Sequence, residues 1–509
     1  MTVSGQGCKN RKSGFATWRA ATAPRATMLV TSLVLGLATG CKPVGPDYKR
    51  PDYQAPATYK ESGASAVVVP PPNPAGGGWH PTNPSDGMLR GNWWEIYQDP
   101  QLNRLEDRVA ANNPSLRQAL ETYLAARDTV SAVRANLYPF LSGSASISRG
   151  RVSQHRPQGS GAPTSAAGDF VIGGQASWEP DFWGRVRRQV EAARENAQAD
   201  AAVMAAVDLS LHAELASDYF ALRGLDAQSK LLTTSVGDLE HQLELTQQRF
   251  SGGVITGVDV EQARTQLETV RAALVDIGVA RAQYEHAIGT IANYSLPDFS
   301  ISPSPLDIPL PNVPTGVPSQ LLERRPDIAA AERRAAAANA QIGVAVSAFY
   351  PNISLGGSGG FESTNPGTWL QGPSSLWSLG AQAAQLLFDA GQRRAITSEA
   401  QHNYEAQVAG YRNTVLLAFE DVEDQLSGLR ILEQESGVEQ RAVESAQRSF
   451  DLSNQRYKGG VTSYLEVLTA ETTLIQNQRT AIDLQTRRFL SSVGLVRSLG
   501  GGWDATKLP

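Results

Sequence analysis

The stretch QRFSGGVITGVDVEQARTQL at 248–267 returns as QRYKGGVTSYLEVLTAETTL at 455–474, 207 positions later and without a gap. A chain that writes one plan twice folds as two like halves, and in 509 residues this repeat overrides a domain count taken from length. The correspondence runs well beyond the Gly-Gly-Val punctuation. NPSLRQALETYLAARDTVSAVRANLYPFLSGSAS from Asn113 aligns on RPDIAAAERRAAAANAQIGVAVSAFYPNISLGGS from Arg325 at an offset of 212, pairing Pro114 with Pro326 and Tyr138-Pro139 with Tyr350-Pro351. From Gly184, opposite Gly391, the offset is 207. The difference lies between Tyr138 and Gly184, where the first copy carries the longer polar loop GRVSQHRPQGSGAPTSAAGD. Length changes collect at exposed loop tips, so that loop faces solvent.

Each copy reads helix, strand, strand, very long helix, turn, helix. In the first long stretch Val186, Val190, Ala193, Ala197, Ala201, Met204, Val207, Leu211, Leu215, Tyr219, Leu222 and Leu225 recur at spacings of three and four, a narrow helical stripe with polar flanks. No proline interrupts Gly184 to Phe250 or Gly391 to Tyr457. At 1.5 Å per residue each helix is about 100 Å long. Such a helix outruns any one globular core and must lie beside similar helices. Gly252-Gly253 and Gly459-Gly460 end the long helices, since glycine accepts a left-handed C-terminal conformation. The chain then reverses into antiparallel partners over 256–292 and 462–497.

The strands are weaker signals. LSGSASIS from Leu141 and NISLGGSGGF from Asn352 alternate small or polar residues with Ile353, Leu355 and Phe361, and return strands over 169–179 and 375–386 carry Phe170, Ile172, Trp178, Leu376 and Trp377. Alternation over about ten residues suits a transmembrane β-strand, and it also suits a soluble hairpin. If the strands span, four cannot close a barrel, because outer-membrane barrels begin at about eight and an open edge is not tolerated in lipid. Three copies would supply about twelve strands, with a hollow cylinder of helices continuing from them. Tyr138-Pro139, Pro180 with Trp183, Tyr350-Pro351 and Phe388 sit where strand passes to helix, as an interfacial girdle would.

The N-terminus carries Lys9, Arg11, Lys12, Arg19 and Arg25 before the apolar run MLVTSLVLGLA at 28–38. That run is an export signal, too short to span as a helix, which needs about twenty residues. Thr39, Gly40 and Cys41 follow it as in a bacterial lipobox, although Ala38 stands where leucine is usual and Leu37 lies one place back. The expectation is a covalent lipid on Cys41, such as palmitate; an ordinary secretory signal with an incidental cysteine is the alternative. Cys8 leaves with the signal, so no internal disulfide can form. The organisation is then signal peptide 1–40, extended lipidated segment 41–92, first repeat 93–294, linker 295–318, second repeat 319–498 and tail 499–509.

Several functions are excluded or weak. A net charge of −5 with no basic stripe argues against nucleic acid. The six histidines are dispersed without metal-ligand spacing, so no metal or other cofactor is expected. GGSGG at 356–360 satisfies G-x-S-x-G, which would make Ser358 the nucleophile of an esterase, but it lies in an alternating strand rather than a strand-to-helix turn. The expectation is no enzyme.

The residues also match a known family. CKPVGPDYKRP after the signal, WWEIYQDPQLNRL from Trp93, WEPDFWGRVRR from Trp178, LLERRPDIAAAERRAAAANAQIGVAVSAFYPNISL from Leu321 and YKGGVTSYLEVLTAE from Tyr457 cover nearly the whole mature chain. They resemble the lipoprotein branch of TolC-like outer-membrane efflux channels. The resemblance implies a mainly α fold with a small membrane β-barrel portion, internally duplicated: a homotrimer whose 12-stranded barrel continues into a long periplasmic α-helical barrel. It implies a passive exit duct in the outer membrane lipid, closed at its far end until a periplasmic adaptor (membrane fusion) protein and an inner-membrane transporter of the resistance-nodulation-division type engage. The tips would then dock the adaptor through Arg249, Gly252, Gly253, Val254, Arg456, Gly459, Gly460 and Val461. In the family the stretch matching SYLEVLTAE lines the constriction, often with carboxylates. Glu466 matches one such position, while Thr469 replaces an aspartate common at the other; Leu465 shares a helical face with Thr469, and Asp259 is the first-copy counterpart of Glu466. A solvated outward glutamate remains the alternative at 466. So does a periplasmic coiled-coil scaffold without channel activity for the whole chain.

Overall fold

The computed structural model describes residues 42–53, 55, 56, 58–61, 91–151, 166–313, 321–503 and 508. The export signal, Cys41 and most of the longer first-copy loop lie outside the described residues. The first copy comprises α1 (Pro100–Asn112), α2 (Pro114–Ala135), β1 (Phe140–Gly150), β2 (Ala167–Trp178), α3 (Arg185–Ser251) and α4 (Gly257–Ile291). The second comprises α5 (Pro326–Ser347), β3 (Asn352–Ser363), β4 (Ser375–Ala384), α6 (Gln392–Lys458) and α7 (Tyr464–Ser498). The repeat is kept to the residue: α2 and α5 have 22 residues each, α3 and α6 have 67, and α4 and α7 have 35.

Local chemistry sets these boundaries. Asp99 accepts from the backbone N–H groups of Gln101 and Leu102, and Asn113 from those of Ser115 and Leu116, capping two helices that each open with proline. Both long helices start after a glycine with positive φ, +82° at Gly184 and +93° at Gly391. At Gly184 a side chain would also collide with the backbone of Pro43, 2.6 Å from the added carbon.

The four strands form one antiparallel sheet in the order β1-β2-β3-β4. Each is continuous with a helix, and the upper helices stand side by side in the matching order α2, α3, α5, α6. Farther down, α4 and α7 take the places of α2 and α5 as neighbours of α3 and α6. The molecule is thus four strands wide throughout.

The main core lies at mid-height, where Tyr97 packs 4.7 Å from Phe220 and Phe220 4.9 Å from Phe489, ring centre to ring centre. Here the narrow stripe expected for α3 widens. Ala213, Leu215, Ala216, Tyr219, Phe220 and Leu222 are all buried, together with His212, Arg223 and Asp226. The reason is that α3 is enclosed at this height by α1, α4 and α7 as well as by the inter-copy linker. That linker is no loose tether: Ile301, Leu306 and Val313 are buried in the core, and Asp226 accepts from the Ser304 N–H at 2.9 Å.

Residues 42–53 run extended along the surface as a strap. Val44 N–H donates to the Trp183 carbonyl at 3.0 Å, beside the start of α3. Arg188 donates to Val44 O and Asp47, Asn339 donates to Pro46 O, and Tyr48 donates to Glu332 at 2.7 Å. Tyr53 stacks on Phe419, and the backbone N–H groups of Lys60 and Glu61 end on the two oxygens of Glu423.

Candidate functional site

Successive residues of a strand point to opposite faces, so the register sorts the sheet. One face carries Leu141, Ala145, Ile147, Phe170, Ile172, Trp178, Ile353, Leu355, Phe361, Trp377 and Leu379. The other carries Ser142, Ser144, Ser146, Ser148, Gln175, Ser177, Ser354, Ser358, Ser378 and Gln382, interrupted by Phe140, Val171 and Leu376. An apolar face backed by a hydroxyl-rich one is what a lipid-facing, water-lined wall requires. The strands, of 10 to 12 residues, are long enough to cross a bilayer when tilted. Ser358 lies in the middle of β3, and its hydroxyl pairs with that of Ser378 at 2.8 Å across the hydroxyl face. Ladder geometry, not a nucleophile elbow, accounts for it.

Among the described residues β1 and β4 have no partner on their outer sides, and α2 and α6 flank the helical layer on the same two sides. Although α2 and α5 are counterparts, α2 buries none of its residues and α5 buries fourteen. The wall therefore has two open margins running from sheet to helices. At the junction between them, Trp183 stacks on Tyr350 at 4.8 Å and donates to Pro351 O, while Tyr138 and Phe388 are exposed.

At the far end the expected docking residues build two matching turns. Gly253 N–H donates to Phe250 O and Val254 N–H to Arg249 O; Gly460 repeats the first bond to Tyr457 O and Val461 the second to Arg456 O. This is a Schellman closure, which requires the left-handed conformation only at the second glycine. Accordingly φ is +73° at Gly253 and +72° at Gly460, whereas Gly252 and Gly459 remain right-handed. Between the turns lies a cleft of about 490 Å³ lined by Leu245, Arg249, Val254, Tyr457, Lys458 and Tyr464 among others. The Arg249 guanidinium covers the Tyr457 ring at 4.8 Å. Val254 and Val461 project outward, each 70% exposed.

Leu465, Glu466 and Thr469 lie together on an exposed side of α7, against the small residues Ala446, Ser449 and Ser453 of α6. Asp259 is differently engaged. Its carboxylate accepts from the N–H and hydroxyl of Thr256 at 3.0 and 2.9 Å, a capping box that starts α4.

The opposite side of α7 carries residues that the sequence reading passed over. Tyr464, Val467 and Ile475 pack against the α3/α4 hairpin, and Glu471 lies buried among them. Gln242 of α3 donates to Glu471 Oε1 at 2.9 Å, and Tyr464 donates to Gln242 at 3.4 Å. Burial, reinforced by Asp238, pushes the Glu471 carboxyl up to about 7. A signal was available: 464, 467, 471, 474 and 475 follow the three-four spacing of a buried stripe, broken by one acid.

The family described as outer membrane efflux protein matches residues 105–293 and 317–501. The antibiotic efflux pump outer membrane protein ArpC of Pseudomonas putida is 31% identical over 479 residues, covering 94% of this chain and 95% of that protein. The toluene efflux pump outer membrane protein TtgC, also of Pseudomonas putida, is 30% identical over 479 residues, with coverage of 94% and 95%. Among solved structures, the outer-membrane channel OprN superposes with a TM-score of 0.81 at 29% identity, over 90% of this chain and 99% of that one.

Proposed function

Because the chain belongs to the outer membrane efflux protein family, we propose that three copies of it close into a lipid-anchored exit duct serving a tripartite pump. The protein is an outer-membrane efflux channel; the trimer, its anchor, its gate and its docking partners are the finer reading. The observation that carries this reading is the wall itself: one face apolar, one face hydroxyl-rich, and both margins open along sheet and helices alike. An open sheet edge cannot persist in lipid, so the β4/α6 margin of one copy must meet the β1/α2 margin of the next. A head-to-tail contact of this kind closes a ring of about twelve strands when three copies join. The hydroxyl face then lines a water-filled lumen, and helices of about 100 Å carry it across the periplasm.

In this arrangement the duct is passive. Energy comes from an inner-membrane transporter of the resistance-nodulation-division type, and an adaptor meets the Schellman tips at Arg249, Gly252, Gly253, Val254, Arg456, Gly459, Gly460 and Val461. Leu465, Glu466 and Thr469 line the constriction, where three like charges of Glu466 repel or recruit a cation. Asp259 contributes from its cap at the base of α4. Cys41 bears the lipid; Val44, three residues on, bonds Trp183 at the strand-to-helix junction, which supports an anchor in the inner leaflet. Relatives of near-equal identity are named for antibiotic and for toluene efflux, which supports cargo selection by the pump rather than by the duct.

Extraction and conductance test the reading. The purified protein should need detergent, cross-link as a trimer and conduct in planar bilayers once its tips are loosened. A lone subunit soluble in plain buffer would instead identify a periplasmic scaffold. Cys41→Ala should abolish incorporation of labelled palmitate; full labelling of that variant would remove the anchor from the scheme.

A further inference from the structure

The two helical hairpins, α3/α4 and α6/α7, meet at the tips through Arg249, which covers Tyr457, and above that along a narrow seam on α7. Tyr464, Val467 and Ile475 fill that seam with apolar surface. Glu471 sits in the same row, one helical turn from each of the last two, and is 4% exposed. Its Oε1 accepts from the neutral Gln242, while Oε2 has no hydrogen-bond partner. The charged and titratable groups around it do not compensate. Asp238 faces it from α3, Tyr464 adjoins it on α7, and Tyr457 of α6 and Asp259 of α4 reach it only through Tyr464. No lysine, arginine or histidine pairs with it among the described residues.

A carboxylate in an apolar seam is tolerated when neutral and opposes closure when ionised, because ionisation with one neutral donor and no cation is unfavourable at low dielectric. Parting the seam hydrates the group and returns it to ordinary acidity. We propose that Glu471 is a proton-operated clasp between the two hairpins, holding the tip closed when protonated and loosening it when ionised. The proposal rests on reading the chain as a duct whose far end opens. The sign follows from linkage. With the closed-state carboxyl pushed up to about 7 and the free group near its usual value of about 4.5, the closed state binds more protons and is favoured by acid. Between about pH 5.5 and about pH 8.5 the open-to-closed ratio should rise about thirtyfold per copy.

The test uses the full-length protein in detergent with spin labels at Gln247→Cys on α3 and Thr472→Cys on α7, both exposed positions. Electron-spin distance measurement should give one short distance at low pH and a growing longer population at high pH, with a midpoint near 7. Glu471→Gln, nearly isosteric, should stay short throughout. Asp238→Asn should move the midpoint to lower pH by removing the charge that raises the carboxyl. A distance that ignores pH in the unmodified protein, or that responds equally in Glu471→Gln, overturns the clasp. The labels report on the seam whether or not the trimer conducts, so a failure of the duct reading in bilayers is a separate result.

Discussion

Exchanging neighbours on β1 tests the wall most directly. Ala145 and Ser144 are adjacent at the middle of an 11-residue strand, five residues or so from either end, and the register puts Ala145 on the apolar face and Ser144 on the hydroxyl face. At about 3.4 Å per residue neither is within easy reach of an interface. Arginine at Ala145 therefore meets hydrocarbon near the bilayer midplane, at a penalty of about 2–4 kcal/mol per copy, whereas arginine at Ser144 points into water and should change stability by less than about 1 kcal/mol. The larger figure corresponds to a roughly thirtyfold to thousandfold loss in the folded fraction for each copy, compounded in a trimer. The assay is refolding into lipid vesicles across a urea series, scored by the heat-sensitive trimer band. Ala145→Arg should shift the midpoint strongly to lower urea; Ser144→Arg should fold nearly normally and, by adding positive charge to the lumen, reduce cation conductance. If Ser144→Arg is the variant that fails, the faces are inverted. Equal tolerance of both would mean that the hairpins do not enter the membrane.

Other consequences are simpler to measure. Glu466→Ala combined with Thr469→Ala should raise the conductance of the isolated trimer, and unchanged conductance counts against their place at the constriction. Asp226 lies buried at 2% side-chain exposure, binding Arg223 at 3.0 Å and Arg281 at 2.7 Å, so Asp226→Ala should destabilise the fold by about 3–5 kcal/mol by leaving the buried Arg223 guanidinium uncompensated, while Arg281 keeps Glu285. Thermal unfolding in detergent checks this; a change below about 1 kcal/mol would show that the network is not critical.

Much of this was legible because it is local. Glycine turns and the offsets of 212 and 207 depend on residues near each other in the chain, and they place α3, α4, α6 and α7 to within about two residues at each end. The alternation of Ile353, Leu355 and Phe361 likewise survives as a shared apolar face. Adjacency was harder to read. Nothing in either copy announces that β2 pairs with β3, or that α5 is enclosed while its counterpart α2 stands at a margin, since both outcomes depend on which neighbours the layer supplies. Charged residues were hard to place for a different reason. Asp226 and Glu471 look like solvated positions in a polar helix until the partner elements arrive, and Asp259 carries a helix cap that its alignment with Glu466 does not imply.

The strap has a consequence in time. Residues 44–61 precede both copies in the chain and so are the first of them to be made, yet Tyr48 binds Glu332, 284 positions later, and Lys60 binds Glu423, 363 positions later. This segment can be fastened only after most of the second copy has been made. Contacts of such sequence separation form late, because closing so large a loop precedes any reward from it. The leading segment is thus the final lace drawn tight, and a subunit interrupted in transit is left with its two halves unbuckled.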